Sequence, residues 1–145
     1  MSEYTFFKDV KLEPIVEIEE KDLAVFKIPD EFCPEWCNWD LKLDTDYYVG
    51  KEVFSVGTPQ GFQEIFRQGR IAQVVLPDLE YIIKGGGSEE EYVKYQGAIA
   101  VDHLMIGGDS GGGVFNKQGD LMGIMQVKFG QVGYFKPITQ YLEYI

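Results

Sequence analysis

The feature that most constrains the fold of this chain is a succession of short apolar runs, each ended by Gly, Pro, Asn or Asp. Segments of this length that are rich in β-branched and aromatic residues are typical of strands. Roughly eight to ten runs follow one another, a spacing that predicts an all-β barrel or sandwich. They include PIVEIEE, DLAVFKI, KEVFSVG, RIAQVVL, LMGIMQV and VGYFKPI. The final ITQYLEYI predicts a short helix with one side formed by Ile138, Tyr141, Leu142 and Ile145.

The composition fits one globular domain and argues against several classes of partner. The chain has 145 residues, 45% of them hydrophobic, which is enough for a single core. Its 24 acidic and 13 basic residues give a net charge of −11, which disfavours nucleic acid. No apolar run approaches the roughly 20 residues that cross a membrane, and no signal-peptide pattern is present. We therefore expect no nucleic-acid or membrane partner, and a location in the cytoplasm or within an assembly.

The cysteines and the histidine do not form a metal-binding pattern. Cys33 and Cys37 lie close together, but the only histidine, His103, is far away in the sequence. A zinc site needs about four ligands. We therefore expect no metal and no cofactor, and two reduced thiols are favoured over a strained local disulfide.

The stretch IGGDSGGGVF, residues 106–115, contains a serine among glycines. A serine hydroxyl becomes a nucleophile when a base takes its proton and amide donors stabilise the resulting oxyanion. Glycines allow a tight backbone whose N–H groups converge, and here Gly108 and Ser110 would be the two donors. The alternative is a glycine-rich turn between two strands, and the seven residues GGDSGGG alone do not separate the two interpretations.

The wider sequence context resembles the trypsin-like (chymotrypsin-fold) serine peptidases, and is most similar to their HtrA/Deg branch. Five segments occur in that family's order, from about Asp22 to the C-terminus. They are DLAVFKI, VGKEVFSVGTPQGF, RQGRIAQV, AIAVDHLMIGGDSGGGVFN, and GDLMGIMQV followed by VGYFKPI. The resemblance implies a chymotrypsin-like barrel fold with a complete second barrel and a partial first one. Residues 1–50 would be the remnant of the first barrel, and residues 51–145 the linker strand and second barrel.

The resemblance also implies catalytic roles. It makes Ser110 the nucleophile, Asp22 the carboxylate of the triad, and the amides of Gly108 and Ser110 the oxyanion hole. For Asp22, an ordinary turn or cap residue before a strand is the alternative. These roles correspond to an endopeptidase that hydrolyses peptide or protein substrates.

Substrate-binding roles follow from the same resemblance. Leu104 would form the base of the primary specificity pocket, with Gly133 and Tyr134 as its opposite wall. The backbone of Gln126 and Val127 would pair with the substrate as an added strand. A leucine at the pocket base predicts a preference for small or medium apolar side chains, although these residues could equally be core.

The sequence departs from the family pattern in its histidine. The triad needs an imidazole between serine and aspartate, and none of the residues before Asp22 is a histidine. His103 lies in the segment that resembles the pocket wall, where a structural role is favoured. Three interpretations remain: a fragment whose missing segment carries the base, a chain completed by a second chain, or an inactive binding or structural module. The last would be a subunit of a larger assembly, such as a virion.

Asp109 matches the trypsin pattern and its role stays open. The chain alone is predicted to be inactive.

Overall fold

The computed structural model describes residues 5–7, 10–19, 23–32, 40–57, 65–74, 80–84, 92–102, 110–129 and 132–144. The chain divides into two compact units. The first comprises Met1–Asp40 with Glu143–Ile145, and the second comprises Leu41–Leu142. Twelve strands lie in the described residues, which confirms the all-β prediction.

The first unit contains two antiparallel hairpins. Strand β1 pairs with β2, and β3 pairs with β4; the strands span Thr5–Phe7, Val10–Leu12, Pro14–Ile18 and Leu23–Phe26. A short 3₁₀ helix, Asp30–Phe32, follows. In β3 the side chains alternate: Ile15 and Glu17 are exposed, while Val16 and Ile18 are half-buried. Strands β1 and β2 have three residues each, too few for a periodic pattern to predict their bounds.

The second unit is built on a closed antiparallel barrel of six strands in the order β10–β11–β12–β9–β6–β5. Closure pairs β10 with β5 and leaves neither as a free edge there. The barrel strands span Glu52–Gly57 (β5), Ile65–Val74 (β6), Ile99–Val101 (β9), Gly113–Phe115 (β10), Leu121–Phe129 (β11) and Val132–Pro137 (β12).

The barrel interior is filled by apolar side chains from all six strands. Alternate residues of each strand point inward, so the apolar residues at those positions meet inside. Phe135 is the largest fully buried side chain, and Tyr47 and Val74 pack against the cluster. The buried members are Val53, Ile71, Ile99, Val101, Val114, Met122, Met125 and Phe135.

A separate hairpin interrupts the barrel sequence between β6 and β9. Its strands are β7, Glu80–Lys84, and β8, Tyr92–Gln96, paired in antiparallel register. The run EYVKYQGAIAV therefore forms two strands, β8 and β9. The break falls at Gly97, whose φ of +66° suits glycine.

The stretch before the barrel, residues 41–50, groups with the second unit. Leu43 forms a parallel bridge with Leu121, supported by hydrogen bonds from Asp44 N to Leu121 O and from Leu121 N to Lys42 O. The hydroxyl of Tyr47 donates to Met122 O over 2.6 Å and accepts from Ile138 N. The assignment of residues 1–50 and 51–145 to two barrels stays a prediction.

The chain's last described element is a 3₁₀ helix, Ile138–Tyr144, where a short helix was expected. The predicted face is partly wrong. Ile138 and Tyr141 are buried, but Leu142 is 45% exposed. A 3₁₀ helix has three residues per turn, so Ile138 and Tyr141 share a side and Leu142 does not. Ile145 lies outside the described residues.

No helix in the described ranges has the length and apolar character needed to cross a membrane.

Candidate active site

Ser110 lies in the turn that leads directly into β10, and it is exposed. The two glycines after it tie this turn to β11. Gly111 N donates to Met125 O and Met125 N donates to Gly112 O, each over 2.8 Å. Gly111 has a φ of +89°, a conformation that glycine adopts without strain. The glycines of the motif therefore hold the serine at a fixed place beside β11.

The hydroxyl of Ser110 donates to the backbone carbonyl of Gln126 over 3.0 Å. A peptide carbonyl accepts a hydrogen bond, but it is far too weak a base to remove the proton. The contact positions the hydroxyl without activating it. The sequence placed Ser110 and Gln126 in the same site, and the structure brings them into contact.

Gln126 is the extra residue of a β-bulge. On β11, Met125 pairs with Phe135 and Val127 pairs with Tyr134, so Gln126 has no opposite residue on β12. Bulges re-aim backbone and side-chain groups, and they are frequent beside active sites. Here the unpaired residue offers its carbonyl to Ser110. Its side-chain Oε1 is buried and has no hydrogen-bond partner in the described part of the chain.

The other predicted substrate-binding residues that are described lie on the adjacent strands β11 and β12. Val127 and Tyr134 are paired in register, and Tyr134 also pairs with Ala100 on β9. Gly133 is buried and pairs with Lys128 and Val101. The backbone of these positions therefore lies next to the bulge whose carbonyl accepts the Ser110 hydroxyl.

Several predicted residues lie outside the described ranges: Asp22, Leu104 and Gly108, together with Cys33, Cys37, His103 and Asp109. Their predicted roles remain predictions. Within the described ranges no group of three or more His, Cys, Asp or Glu is arranged to hold a metal ion.

Sequence reasoning missed a polar network at the opposite end of β10. Asp44 accepts hydrogen bonds from Lys51 Nζ at 2.7 Å and from Asn116 Nδ2 at 2.8 Å. Lys51 also donates to Asp46 O, and its ammonium lies 5.3 Å from the centre of the Tyr48 ring. The Asp44 and Lys51 side chains are only 14% and 12% exposed. We call these residues, Asp44, Lys51 and Asn116, the clasp.

The clasp pairs the negative carboxylate of Asp44 with the positive ammonium of Lys51. Burial acts to raise the pKa of Asp44, but the hydrogen bonds from Lys51, Asp46 N and Asn116 outweigh it and lower the pKa below 3.8. Burial raises the pKa of the neighbouring Tyr47 to about 12, so this residue stays protonated and can donate to Met122 O. The sequence carried only a weak signal for the clasp, the turn residues of NKQGD after β10.

An open cavity of about 290 Å³ lies beside the clasp. None of the predicted site residues lines it. Its lining is Asp44, Tyr48, Lys51, Glu52, Asn116, Lys117 and Gln118.

The family model of the trypsin-like peptidase domain matches residues 7–124. The chain belongs to this family. The match covers most of the sequence and includes β2 to β10, the Ser110 turn and the first part of β11. The predicted fold class is thereby confirmed: an all-β trypsin-like fold with one closed barrel of six strands. The partial first barrel stays a prediction.

Solved structures of HtrA/Deg-type proteases share this fold. The MamO protease domain from Magnetospirillum magneticum, in its apo form, has a TM-score of 0.67 and 20% identity, covering 93% of this chain and 67% of that one. The serine endoprotease from Yersinia pestis has a TM-score of 0.67 and 20% identity, covering 92% and 42%. The HtrA-type protease AlgW with decapeptide has a TM-score of 0.70 and 23% identity, covering 92% and 38%.

The chain therefore spans between 38% and 67% of the length of these three structures. Among curated proteins, none matches the sequence significantly.

Proposed function

We propose that this chain is the nucleophile-bearing part of a trypsin-like serine endopeptidase, and that the catalytic histidine comes from outside the sequence given. The observation that carries the proposal is the state of Ser110. Its turn is fixed to β11 by two backbone hydrogen bonds, and its exposed hydroxyl donates a hydrogen bond to the carbonyl of Gln126. A fixed, accessible serine is what a peptidase needs before a base arrives.

The proposed reaction follows the serine-peptidase scheme. The supplied imidazole takes the proton of Ser110, and the Ser110 oxygen attacks the scissile carbonyl. The amides of Gly108 and Ser110 stabilise the oxyanion, and Asp22 holds the imidazole in the correct tautomer. Without the imidazole, only the slow background of an oxyanion hole and substrate binding would remain.

The free part of β11 supports peptide binding. The pairing of β10 with β11 ends at Gly113 and Ile124, whereas β11 runs on to Phe129. From Gln126 onward, no described strand lies on the side of β11 opposite β12. An extended peptide could add there as a further strand. The AlgW structure with decapeptide has the same fold and is consistent with a peptide ligand here. We expect a small or medium apolar side chain beside Leu104, Gly133 and Tyr134.

The test is covalent labelling of Ser110 by a fluorophosphonate probe. The chain is assayed alone and with histidine-bearing segments encoded upstream or by neighbouring genes, and Ser110→Ala is the control. We expect labelling to rise at least a hundredfold when the correct segment is added. Cleavage of a peptide library should then follow apolar residues. Cleavage after arginine would contradict the proposed pocket.

The second candidate is an inactive module of the same fold that binds peptides or builds an assembly such as a virion. It is favoured by the Ser110 hydroxyl being engaged with a carbonyl, and by His103 being the only histidine of the sequence. Silence of Ser110 toward the probe in the complete natural assembly, with retained peptide binding, would establish this candidate and overturn the first.

A further inference from the structure

The backbone carbonyl of Gln126 is turned toward the nucleophile by the bulge. In a regular strand, the carbonyls of successive residues point to opposite sides. Here Met125 O accepts from Gly111 N over 2.8 Å. The next carbonyl, Gln126 O, accepts from the Ser110 hydroxyl over 3.0 Å. The extra residue of the bulge interrupts the alternation, so two successive acceptors of β11 face the Ser110 turn.

This side of β11 is the side on which the proposed peptide adds. The last backbone hydrogen bonds between the Ser110 turn and β11 are those of Met125, whose N–H and C=O are both used by glycines of the turn. Beyond Met125, no described strand pairs with β11 on this side. The carbonyl of Gln126 is therefore the first acceptor that an added strand meets, and main-chain hydrogen bonds of this kind supply the affinity of strand addition.

The hydroxyl and an incoming peptide amide meet this carbonyl from the same direction. Ser110 is exposed, and its contact with the carbonyl lies at the surface of the chain. A peptide therefore has access to the contact. A carbonyl oxygen has two lone pairs, but an added strand places its N–H in the space from which the hydroxyl now donates. The two donors thus compete for one acceptor.

We propose that the hydrogen bond from the Ser110 hydroxyl to the Gln126 carbonyl is an autoinhibitory contact that a bound peptide breaks. The peptide N–H takes the carbonyl, and the hydroxyl is released. This inference rests on the peptide binding of the proposed function and adds its regulation. The nucleophile stays on a non-basic acceptor until a peptide lies beside β11, and only then is its proton free for a base. In an inactive module the same competition lowers the affinity for peptides.

A thermodynamic cycle between Ser110 and the peptide amide tests the competition. The probe is an acetylated and amidated hexapeptide of alanine with valine at its third position. Ser110→Ala removes the competing donor, so the peptide should bind this variant about threefold to tenfold more tightly than the natural chain, the value of one net hydrogen bond. Asp30→Ala is the control at an exposed position and should leave the affinity unchanged.

Ester analogues of the peptide complete the cycle. In each analogue one amide N–H is replaced by an ester oxygen, which cannot donate. The analogue that lacks the N–H facing the Gln126 carbonyl has nothing to compete with, so it should bind the natural chain and Ser110→Ala with equal affinity. The other analogues should keep the preference for Ser110→Ala.

A measurement on the natural chain needs no variant. The side-chain rotamer of Ser110 is followed by NMR as the peptide is added. We expect it to change as the site fills, and to stay unchanged with the ester analogue that lacks the competing N–H. An unchanged rotamer in the peptide complex, or equal affinity of the peptide for the natural chain and Ser110→Ala, would overturn the inference and leave the proposed peptide binding intact.

Two further outcomes separate this inference from the proposed function. If the peptide binds neither the natural chain nor Ser110→Ala, the proposed peptide site fails and the inference fails with it. If the cycle shows the competition while no histidine-bearing segment promotes fluorophosphonate labelling of Ser110, the inference stands and the proposed catalysis fails.

Discussion

The side-chain amide of Asn116 donates to Asp44 over 2.8 Å, joining residues 72 positions apart in the sequence. Lys51 binds the same carboxylate oxygen over 2.7 Å. Asn116 Oδ1 also accepts from the backbone N–H groups of Gln118 and Asp120. The clasp therefore connects the stretch before the barrel to the β10–β11 turn, only a few residues beyond Ser110.

The first prediction concerns the stability that the clasp contributes. Asp44→Ala leaves the Lys51 ammonium and the Asn116 amide without their shared acceptor in a mostly buried place. We expect the free energy of unfolding to fall by about 2 kcal/mol, the value of hydrogen bonds to a charged group. Urea unfolding at neutral pH measures it. The matched control is Asp30→Ala, whose carboxylate is 91% exposed and pairs with Lys27, and which should have almost no effect.

The second prediction is a pH dependence. The pKa of Asp44 is lower in the folded chain than its ordinary value of 3.8, so folding favours the ionised form. This contribution is complete above the unfolded pKa and is lost as pH falls through the folded pKa. The stability difference between the natural chain and Asp44→Asn should thus be constant near neutrality and shrink in the acid range below pH 3.8. A difference that persists unchanged into strong acid would show that the charge of Asp44 is not its source.

The third prediction separates the role of Ser110 from stability. Ser110 is exposed and its hydroxyl makes one hydrogen bond to a carbonyl, so Ser110→Ala should change the free energy of unfolding by less than about 1 kcal/mol. Labelling in the presence of a base should be abolished. Ser55→Ala is the comparison variant. Ser55 is buried in the barrel and lies away from the site, so its substitution should affect stability and leave the labelling of Ser110 unchanged. A large loss of stability in Ser110→Ala would indicate a structural role for the hydroxyl.

The fourth prediction concerns Gly123, where β11 and β12 lie close together. A Cβ at this position would lie 2.6 Å from Cδ2 of Phe135 and closer still to the carbonyl oxygen of Lys136. Gly123→Ala therefore forces the two strands apart, and we expect a loss of about 3 kcal/mol in thermal or urea unfolding. At Gly111 a Cβ would meet nothing within 4 Å, so Gly111→Ala should cost only about 1 kcal/mol from its left-handed backbone. Equal losses at both positions would contradict the close approach.

Local pattern was sufficient to predict most of the barrel. The apolar runs KEVFSVG, RIAQVVL, LMGIMQV and VGYFKPI predicted β5, β6, β11 and β12, because strand length and composition are properties of neighbouring residues. The Ser110 turn was predicted for the same reason, since its glycines are contiguous. Hydrogen bonds from Gly119 N to Asn116 O and from Asn116 N to Asp120 O close the turn between β10 and β11.

Features that depend on distant pairing were missed. The clasp joins Asp44 to Asn116, which are 72 positions apart, and no local pattern encodes that contact. The bulge at Gln126 arises from the register between two strands, so the sequence predicted the residue as part of the site but not its geometry. The 3₁₀ form of the last helix was missed because a seven-residue segment fits three and 3.6 residues per turn almost equally well.

The extra residue in β11 also sets the phase of the strand. Without a bulge, the register of the Met125–Phe135 pair would bring Gln126 opposite Tyr134 and Val127 opposite Gly133; the bulge instead leaves Val127 opposite Tyr134. One extra amino acid thus lets β11 pair with β12 on both sides of the bulge, and the register of the second half is shifted by one residue relative to the first. Deleting Gln126 would therefore keep Met125 opposite Phe135 and Val127 opposite Tyr134, and would remove only the residue whose carbonyl receives the Ser110 hydroxyl.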